Sequence, residues 1–114
     1  MAITHVYEAV EPARTEIDAL AGPAVIEFGT PWCGHCLSAQ PLLDTAFADF
    51  PHVRHIKIED GSGRPLGRSF RVKLWPTLVF LRDGAEVARV IRPTDADAIC
   101  EALMQVTAAE YPAP

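Results

Sequence analysis

A short apolar run near residue 25 restricts the possible folds of this chain more strongly than any other segment. Residues 24–28 read AVIEF, a nearly continuous run rich in β-branched residues, which is typical of a strand buried inside a sheet. The segment 29–31, GTP, ends that strand. Apolar residues at helical spacing follow, so we predict a helix over 36–50 that Pro41 bends one turn after its start.

Further strands are predicted downstream of this unit. Residues 53–58 alternate in polarity and residues 78–81 form a second apolar run, with a helix expected around 65–70 between them. The dipeptide Asp-Gly at 83–84 separates that second run from residues 86–91 and is a strong hairpin signal. The last two strands are therefore expected to be antiparallel, and the fold class is α/β.

A helix is predicted to close the chain. Thr94 is followed three residues later by Asp97, which resembles a helix start. The expected inward stripe of this helix is formed by Ile99, Leu103 and Val106. With 114 residues, of which 49% are hydrophobic, the chain is expected to form one domain. Its predicted parts are an N-terminal strand or helix over 1–22, a core over 23–106 and a frayed tail over 107–114.

Charge and composition exclude several classes of function. Ten Lys and Arg against fifteen Asp and Glu give a formal charge of −5, which argues against a nucleic-acid surface. No basic segment leads into an apolar one near the N-terminus, and no apolar run approaches membrane-spanning length. We therefore expect a cytoplasmic monomer with neither a nucleic acid nor a membrane as partner.

Two cysteines at close spacing carry the chemistry. Cys33 and Cys36 can form a reversible disulfide, and three cysteines in all are too few for a disulfide scaffold. Disulfide exchange needs a thiolate, so the surroundings of the pair are expected to favour the charged sulfur. The alternative is half of a zinc site, which His35, His52, His55 or Cys100 would complete. No second paired-ligand motif accompanies the cysteines, which favours redox chemistry.

The order of these segments resembles the thioredoxin superfamily. The resemblance rests on the strand 24–28, the WCGHC sequence at 32–36, the helix with Pro41, the Trp-Pro-Thr at 75–77 and the hairpin signal, and it spans roughly residues 23–106. It implies a thioredoxin fold, with a mixed sheet of four or five strands flanked by helices on both faces. The CGHC sequence is similar to protein disulfide isomerase domains, whereas the short single domain is more similar to a bacterial-type thioredoxin.

The resemblance implies a thiol–disulfide oxidoreductase that acts on disulfide-bearing proteins. At a helix start, unpaired backbone N–H groups and the helix dipole stabilise an anion, so Cys33, expected at the first helical position, is the expected nucleophile. Cys36 lies on the same helix face and is expected to resolve the mixed disulfide, leaving a Cys33–Cys36 disulfide. A thiol reductant or a thioredoxin reductase would regenerate the dithiol. No organic cofactor and no metal are expected.

Glu27 is the one charged residue in the first strand. A buried carboxyl has a raised pKa and can exchange protons near pH 7, and by resemblance Glu27 occupies the position of the buried acid beneath the disulfide. We therefore expect it to act as the general base for Cys36. The alternative is a carboxylate at a strand edge that reaches solvent. His55 or Lys57 in the next strand is a candidate partner.

The residues within and beside the cysteine pair are expected to tune it. A protonated His35 would favour the thiolate and make the couple a better oxidant than a proline at that position, as holds for thioredoxin-like proteins in general. Its neighbour Gly34 completes the dipeptide between the cysteines. Trp32 is expected to pack partly against the active-site loop and to offer an apolar contact surface.

The Trp-Pro-Thr segment resembles the cis-proline loop that binds a substrate strand through main-chain atoms. The expected substrate-binding residues are Trp75, Pro76, Thr77 and Arg92. The large Trp75 departs from the small or aliphatic residue that is common in the family, so it either reshapes the groove or packs as a core residue beneath the loop.

Other departures from the family concern partner choice. Gly29 stands where an aromatic residue is common, Leu37 where a lysine is common, and Arg92 or Pro93 where a glycine is expected. These changes keep a second hypothesis open, a thioredoxin-fold binding or assembly module with little redox turnover. Cys100, on the last helix, is expected to be a small apolar filler, with a regulatory thiol as the alternative.

Overall fold

The computed structural model describes residues 3–108 and has the predicted α/β architecture. The helices and strands follow in the order α1 (Arg14–Asp18), β1 (Pro23–Gly29), α2 (Gly34–Phe47), β2 (Arg54–Glu59), α3 (Pro65–Ser69), β3 (Thr77–Arg82), β4 (Ala85–Ile91) and α4 (Ala96–Ala108). Over these residues, no helix combines the length and the apolar character that crossing a membrane requires.

The sheet has four strands in the order β2-β1-β3-β4. β1 pairs with β2 in parallel and with β3 antiparallel, and β3 and β4 form the predicted antiparallel hairpin. Asp83 and Gly84 both have positive φ values, 51° and 81°, as a two-residue hairpin turn of matching twist requires. The first strand is therefore central, with its polar backbone groups paired on both sides.

Alternate residues of the sheet pack against helices on opposite faces. Val25, Leu78 and Phe80 contact α2 and α4, which contribute Leu43, Phe47, Ile99 and Leu103 to that cluster. Ile26, Phe28, Val79 and Leu81 face the other way, against Ile17 of α1 and Leu66 of α3. Because side chains alternate along a strand, Glu27 lies on the same face as Val25, beneath the start of α2. The sheet thus fixes the position of the carboxyl relative to the cysteines.

Three predicted boundaries need correction. The helix expected over 36–50 covers residues 34–47, since a turn in which the Phe50 amide donates to Phe47 O leads into Pro51. Pro41 lies inside this helix, as expected. The start of α4 is capped by Asp95, whose Oδ1 accepts the Ala98 amide at 3.2 Å, and not by Thr94.

The predicted C-terminal boundary also differs, whereas the N-terminal one does not. Before β1 begins at Pro23, helix α1 covers Arg14–Asp18, and Tyr7 forms an isolated parallel bridge with Lys57. At the other end, residues 107 and 108 still belong to α4, and Thr107 is buried, so they are not part of a frayed tail. Residues 109–114 of the predicted tail lie outside the described residues.

Candidate functional site

The two cysteines lie at the N-terminus of α2. Cys33 is the N-cap residue, one position before the expected first helical position, and its Sγ accepts a hydrogen bond from the Cys36 amide at 3.3 Å. Both are free thiols. The relative exposure is 8% for Cys33 and 2% for Cys36, so the first sulfur lies nearer to solvent. Cys33 Sγ thus lies at the N-terminus of α2 with one backbone donor directed at it, and Cys36 is the more deeply buried of the two residues.

Glu27 is completely buried, which excludes the alternative of a carboxylate at a strand edge. Its Oε1 is 2.9 Å from His55 Nε2, and its Oε2 accepts from Gln40 Nε2 at 2.8 Å and lies 3.6 Å from Lys57 Nζ. Both candidate partners from the next strand therefore contact the carboxylate. The His55 Nδ1 accepts the Thr4 amide at 2.9 Å, so the ring proton lies on Nε2, which donates to Glu27.

The expectation of a raised pKa for Glu27 is wrong. Burial alone would raise the pKa of this carboxyl, but the hydrogen bond from His55, the Lys57 charge and the hydrogen bond from Gln40 together lower it below 4.5. The sequence argument considered only the loss of water around the carboxyl. Contacts from His55, Lys57 and Gln40 outweigh the effect of burial and lower the pKa. Glu27 is therefore an ionised carboxylate at neutral pH.

Gln40 was not identified from the sequence. It follows Cys36 by one helical turn, and its amide donates to both Glu27 Oε2 and the Cys36 carbonyl, at 2.8 and 3.0 Å. Lys57 Nζ in turn donates to Gln40 Oε1 at 3.2 Å. The sequence could have pointed to Gln40, because it is a polar residue one helical turn after Cys36 and therefore on the same side of the helix. Gln40 links the carboxylate to the helix that carries both sulfurs.

The Cys36 thiol has a strongly raised pKa, of about 12. Burial is the largest cause of the increase, and the hydrogen bond between Cys36 and Cys33 is the next. A backbone hydrogen bond from Thr30 lowers the pKa in part. The charges of Cys33 and Glu27 raise this pKa further. In the free dithiol, Cys36 is therefore protonated at neutral pH.

Gly29 leaves room for the Cys36 sulfur because it has no side chain. A Cβ on Gly29 would lie 2.5 Å from Cys36 Sγ and 3.3 Å from the Tyr7 hydroxyl, closer than unstrained packing allows. The departure from the family's aromatic residue at this position thus makes room for the sulfur and for Tyr7. A cavity of about 280 Å³ opens beside them, lined by His5, Tyr7, Thr30, Pro31, Cys36, Leu37, Gln40 and Lys57. Tyr7 and Thr30 were missed because neither belongs to a sequence motif.

The exposed side of the site is aromatic. The Trp32 side chain is 72% exposed, and its ring packs edge-on against Trp75 with centroids 5.6 Å apart. Trp75 Nε1 donates to Asp60 Oδ2 at 2.9 Å, and the Trp75–Pro76 peptide bond is cis. Trp75 is half-buried, so it is neither a core residue nor a freely exposed one. We call the surface formed beside Cys33 by these two tryptophans and the cis proline the groove.

Arg92 holds the proline loop in place. Its φ of 48° lies in the left-handed region that favours glycine, in agreement with the expectation that it replaces one. The Arg92 amide donates to Pro76 O at 3.0 Å and its Nε donates to Trp75 O at 2.9 Å. The Trp75 amide has no acceptor among residues 3–108.

Thr77 is buried, and its hydroxyl donates to Leu74 O at 2.6 Å. Its side chain therefore stabilises the loop from inside and does not face the groove. His35 and Gly34 are both exposed, and a Cβ on Gly34 would contact nothing. His35 lines a cleft of about 420 Å³ that Arg92 also lines. His35 thus lies at the surface between the cysteines and the proline loop.

A larger cleft of about 510 Å³ lies on the other side of Trp75. Its lining includes four basic side chains, Arg64, Arg68, Arg71 and Lys73, with Asp60 as the one acidic residue. Among residues 3–108, no ion pair involves Arg68, Arg71 or Lys73. In a chain of net charge −5, this cleft is therefore a local concentration of positive charge.

The zinc hypothesis finds no ligand cluster in the described part of the chain. Between residues 3 and 108, no group of three or more His, Cys, Asp or Glu side chains is arranged to hold a metal ion. His55, one of the candidate ligands, is bonded to Glu27 instead. Cys100 is partly buried and packs against the cluster around α2 and α4, as an apolar filler would.

Known proteins that are similar in sequence and structure agree with the chemistry that this geometry suggests. The thioredoxin family model matches residues 7–105. The chain belongs to the thioredoxin family. Thioredoxin from Chlamydia trachomatis is 37% identical over 84 residues, covering 72% of this chain and 81% of that protein. The solved structure of thioredoxin 2 from Pseudomonas aeruginosa, in its reduced form, has a TM-score of 0.83 and 59% identity, and the match covers 94% and 99% of the two chains.

Protein disulfide-isomerase tigA from Aspergillus niger is similar over a shorter region. It is 40% identical over 60 residues, which are 49% of this chain but only 17% of that protein. With the paired cysteines at a helix start, this family membership makes the chain a thiol–disulfide oxidoreductase with a thioredoxin fold. The expected fold and reaction class are confirmed.

Proposed function

We propose that Cys33 is the attacking thiolate and Cys36 the resolving thiol in the reduction and exchange of protein disulfides. The observation that carries this assignment is the N-cap geometry, in which Cys33 Sγ accepts the Cys36 amide at the positive end of α2. The difference in exposure supports the same order of events, since a substrate disulfide meets Cys33 before Cys36.

The proposed reaction has two exchange steps. The Cys33 thiolate attacks one sulfur of the substrate disulfide, forms a mixed disulfide and releases a substrate thiolate. The Cys36 thiolate then attacks Cys33 Sγ, which breaks the mixed disulfide and releases the second substrate thiolate. Two electrons pass to the substrate, and the protein is left with a Cys33–Cys36 disulfide. The same steps in reverse would oxidise a dithiol substrate.

The timing of the second step follows from the causes of the raised pKa of Cys36. Two of those causes are the hydrogen bond with Cys33 and the charge of Cys33. Both are lost when Cys33 enters a mixed disulfide, because its sulfur then carries no charge. The pKa of Cys36 therefore falls when its thiolate is needed. Until then the protonated Cys36 does not compete with the substrate.

Glu27 is the proposed acceptor of the Cys36 proton. Because His55 and Lys57 lower its pKa, Glu27 is ionised at neutral pH and can take up this proton transiently, which makes it a weaker base than a carboxylate poised near pH 7. Gln40 connects the carboxylate to the Cys36 carbonyl, and it also lines the cavity through which water can reach the Cys36 side chain.

The groove beside Cys33 is the proposed binding site for a substrate strand. The free Trp75 amide supports pairing with the main chain of that strand, next to the cis Pro76. Trp32 would contact the substrate directly, and Arg92 would fix the loop. Thr77 would support the loop from beneath, and His35 would tune the thiolate.

The proposed partners are disulfide-bearing proteins and a reductant, either a thiol or a thioredoxin reductase. We also propose a monomer that acts in the cytoplasm, where thiol pools keep such a dithiol reduced. The test is insulin reduction by the wild-type protein with C33S as the control. Turnover that disappears in C33S is expected. Wild-type protein without activity would leave the binding-module hypothesis as the better account.

A further inference from the structure

Two buried hydroxyl groups beside Cys36 have no hydrogen-bond partner. The Tyr7 hydroxyl and Thr30 Oγ1 are two of three buried side-chain polar atoms without a partner in residues 3–108. Both side chains line the cavity of about 280 Å³ that Cys36 also lines. A buried hydroxyl without a partner destabilises the folded state, so two of them in one cavity with Cys36 need an explanation.

The backbone brings Tyr7 to this sulfur. Tyr7 bridges to Lys57 of β2, the Glu8 amide donates to Lys57 O at 2.9 Å, and Lys57 Nζ lies 4.6 Å from the Tyr7 ring centroid. Contacts of its backbone and of its ring therefore both fix the position of Tyr7. The Tyr7 hydroxyl and Cys36 Sγ are both within 3.3 Å of the point where a Gly29 Cβ would lie.

We propose that the hydroxyls of Tyr7 and Thr30 donate hydrogen bonds to the Cys36 thiolate during resolution of the mixed disulfide. This proposal rests on the assignment of Cys36 as the resolving thiol. In the resting dithiol, Cys36 is protonated and offers little to a donor, so both hydroxyls remain unpaired. When the thiolate forms, each gains a charged acceptor, so the interaction strengthens only in the reacting state.

The protonation of Tyr7 suits a donor. Burial, together with the charges of Cys36 and Glu27, raises the pKa of the phenol well above its ordinary range, so Tyr7 keeps its proton at neutral pH. The other charged or titratable groups around Cys36 are Cys33 on α2, Glu27 on β1, Lys57 on β2 and His5 in the cavity wall. Among these, Glu27 opposes the thiolate, and the two hydroxyls offset that effect without adding a charge.

A chromogenic aryl disulfide separates the two chemical steps. The reduced protein releases one aryl thiolate when Cys33 attacks, at a rate that depends on reagent concentration, and a second when Cys36 resolves the mixed disulfide, at a rate that does not. Y7F and T30V are each expected to slow the second phase by roughly tenfold or more, which corresponds to one hydrogen bond to a charged group. The first phase should change by less than about twofold.

T107V is the matched control, since Thr107 is a buried threonine on α4 whose hydroxyl donates to Leu103 O, away from the site. It should leave both phases unchanged. The proposal is overturned if Y7F and T30V leave the second phase at the wild-type rate, or if they slow both phases equally. A wild-type protein that shows no second phase would instead refute the role assigned to Cys36.

The reactivity of Cys36 excludes a purely structural effect. In the C33S/C100A background Cys36 is the one remaining thiol, and the rate of its alkylation by iodoacetamide between pH 7 and 9 follows its thiolate fraction. Adding Y7F is expected to lower that rate about threefold or more, because a tenfold loss of thiolate is partly offset by the higher nucleophilicity of a sulfur without the hydrogen bond. A variant that loses only stability would leave the alkylation rate unchanged, and that result would contradict the proposal.

Discussion

The two sulfurs are separated by two residues, yet their surroundings differ in almost every respect. Cys33 is 8% exposed and follows the exposed Trp32, whose ring contacts Trp75. Cys36 faces a buried polar network that contains Glu27 and Lys57. In the proposed reaction, the exposed side would bind a substrate strand through its main chain and so needs few specific contacts. The buried side would control proton transfer, which depends on specific contacts.

The largest expected effect comes from the sulfurs themselves. C33S should abolish reduction of a disulfide substrate, since no thiolate remains at the helix start. C36S should still react once and then accumulate a mixed disulfide with the substrate, because the resolving thiol is gone. Mass spectrometry of the protein after mixing with a peptide disulfide measures both outcomes. If C33S formed the adduct and C36S did not, the assigned order of attack would be reversed.

The second-largest effect is expected from Glu27, and it tests whether the polar network around Cys36 needs a charged carboxylate. E27Q should destabilise the protein at pH 7 by about 3–5 kcal/mol, because Lys57 would keep a buried charge without its partner. Denaturant unfolding measures this loss, and L37K, an exposed substitution on the same side of the molecule, serves as the control.

The pH dependence of the same variant has a definite sign. Because folding lowers the pKa of Glu27, the carboxylate stabilises the native state above its ordinary pKa of 4.5, and that stabilisation is lost as the pH falls through the folded-state value. The stability difference between wild type and E27Q should therefore shrink on acidification from pH 7 through this range. A difference that grew with acid would contradict an ionised Glu27.

A smaller effect is expected from His35 on the exposed side. H35P places proline in the first turn of α2, where it is tolerated, and removes the imidazole next to the thiolate. The reduction potential should fall by tens of millivolts, with about 30 mV equal to 1.4 kcal/mol for this two-electron couple. Equilibration of the couple with glutathione measures the change. A potential that rises would refute the tuning role of His35.

The smallest effect on stability is expected from Trp32. W32A removes an exposed ring and one edge contact with Trp75, so the unfolding free energy should change by less than about 1 kcal/mol. The KM for a peptide disulfide should rise, because the groove loses one of its two aromatic edges. Denaturant unfolding measures the change in stability, and steady-state kinetics on the same preparation measure the change in KM. A large stability loss with unchanged KM would make Trp32 a structural residue.

Some features could be predicted from the sequence because they depend on local patterns. The apolar run 24–28 identified the central strand, and the Asp-Gly dipeptide identified the hairpin, since both signals act between neighbouring residues. The helix ends were less well predicted. Whether Thr94 or Asp95 caps α4 depends on which backbone amides the helix leaves open, and that is settled by packing.

The sign of the Glu27 pKa shift could not be predicted in the same way. A buried carboxyl by itself argues for a raised pKa, and the sequence offered His55 and Lys57 only as alternative partners. Pairing of β1 with β2 in parallel aligns Glu27 with Lys57 and Val25 with His55, so both side chains reach the carboxylate. Contacts between strands that are about thirty residues apart therefore decide the electrostatics.

The sequence by itself determined the reaction class of this protein, because a CxxC pair at a helix start after a buried strand is a local arrangement with a local chemistry. Only the tertiary structure decided the environment of Cys36. Tyr7, Gly29 and Lys57 come together from three separate segments, and no spacing along the chain encodes their distances to that sulfur. The physical reason is that burial and charge act through space, whereas motifs are read along the chain.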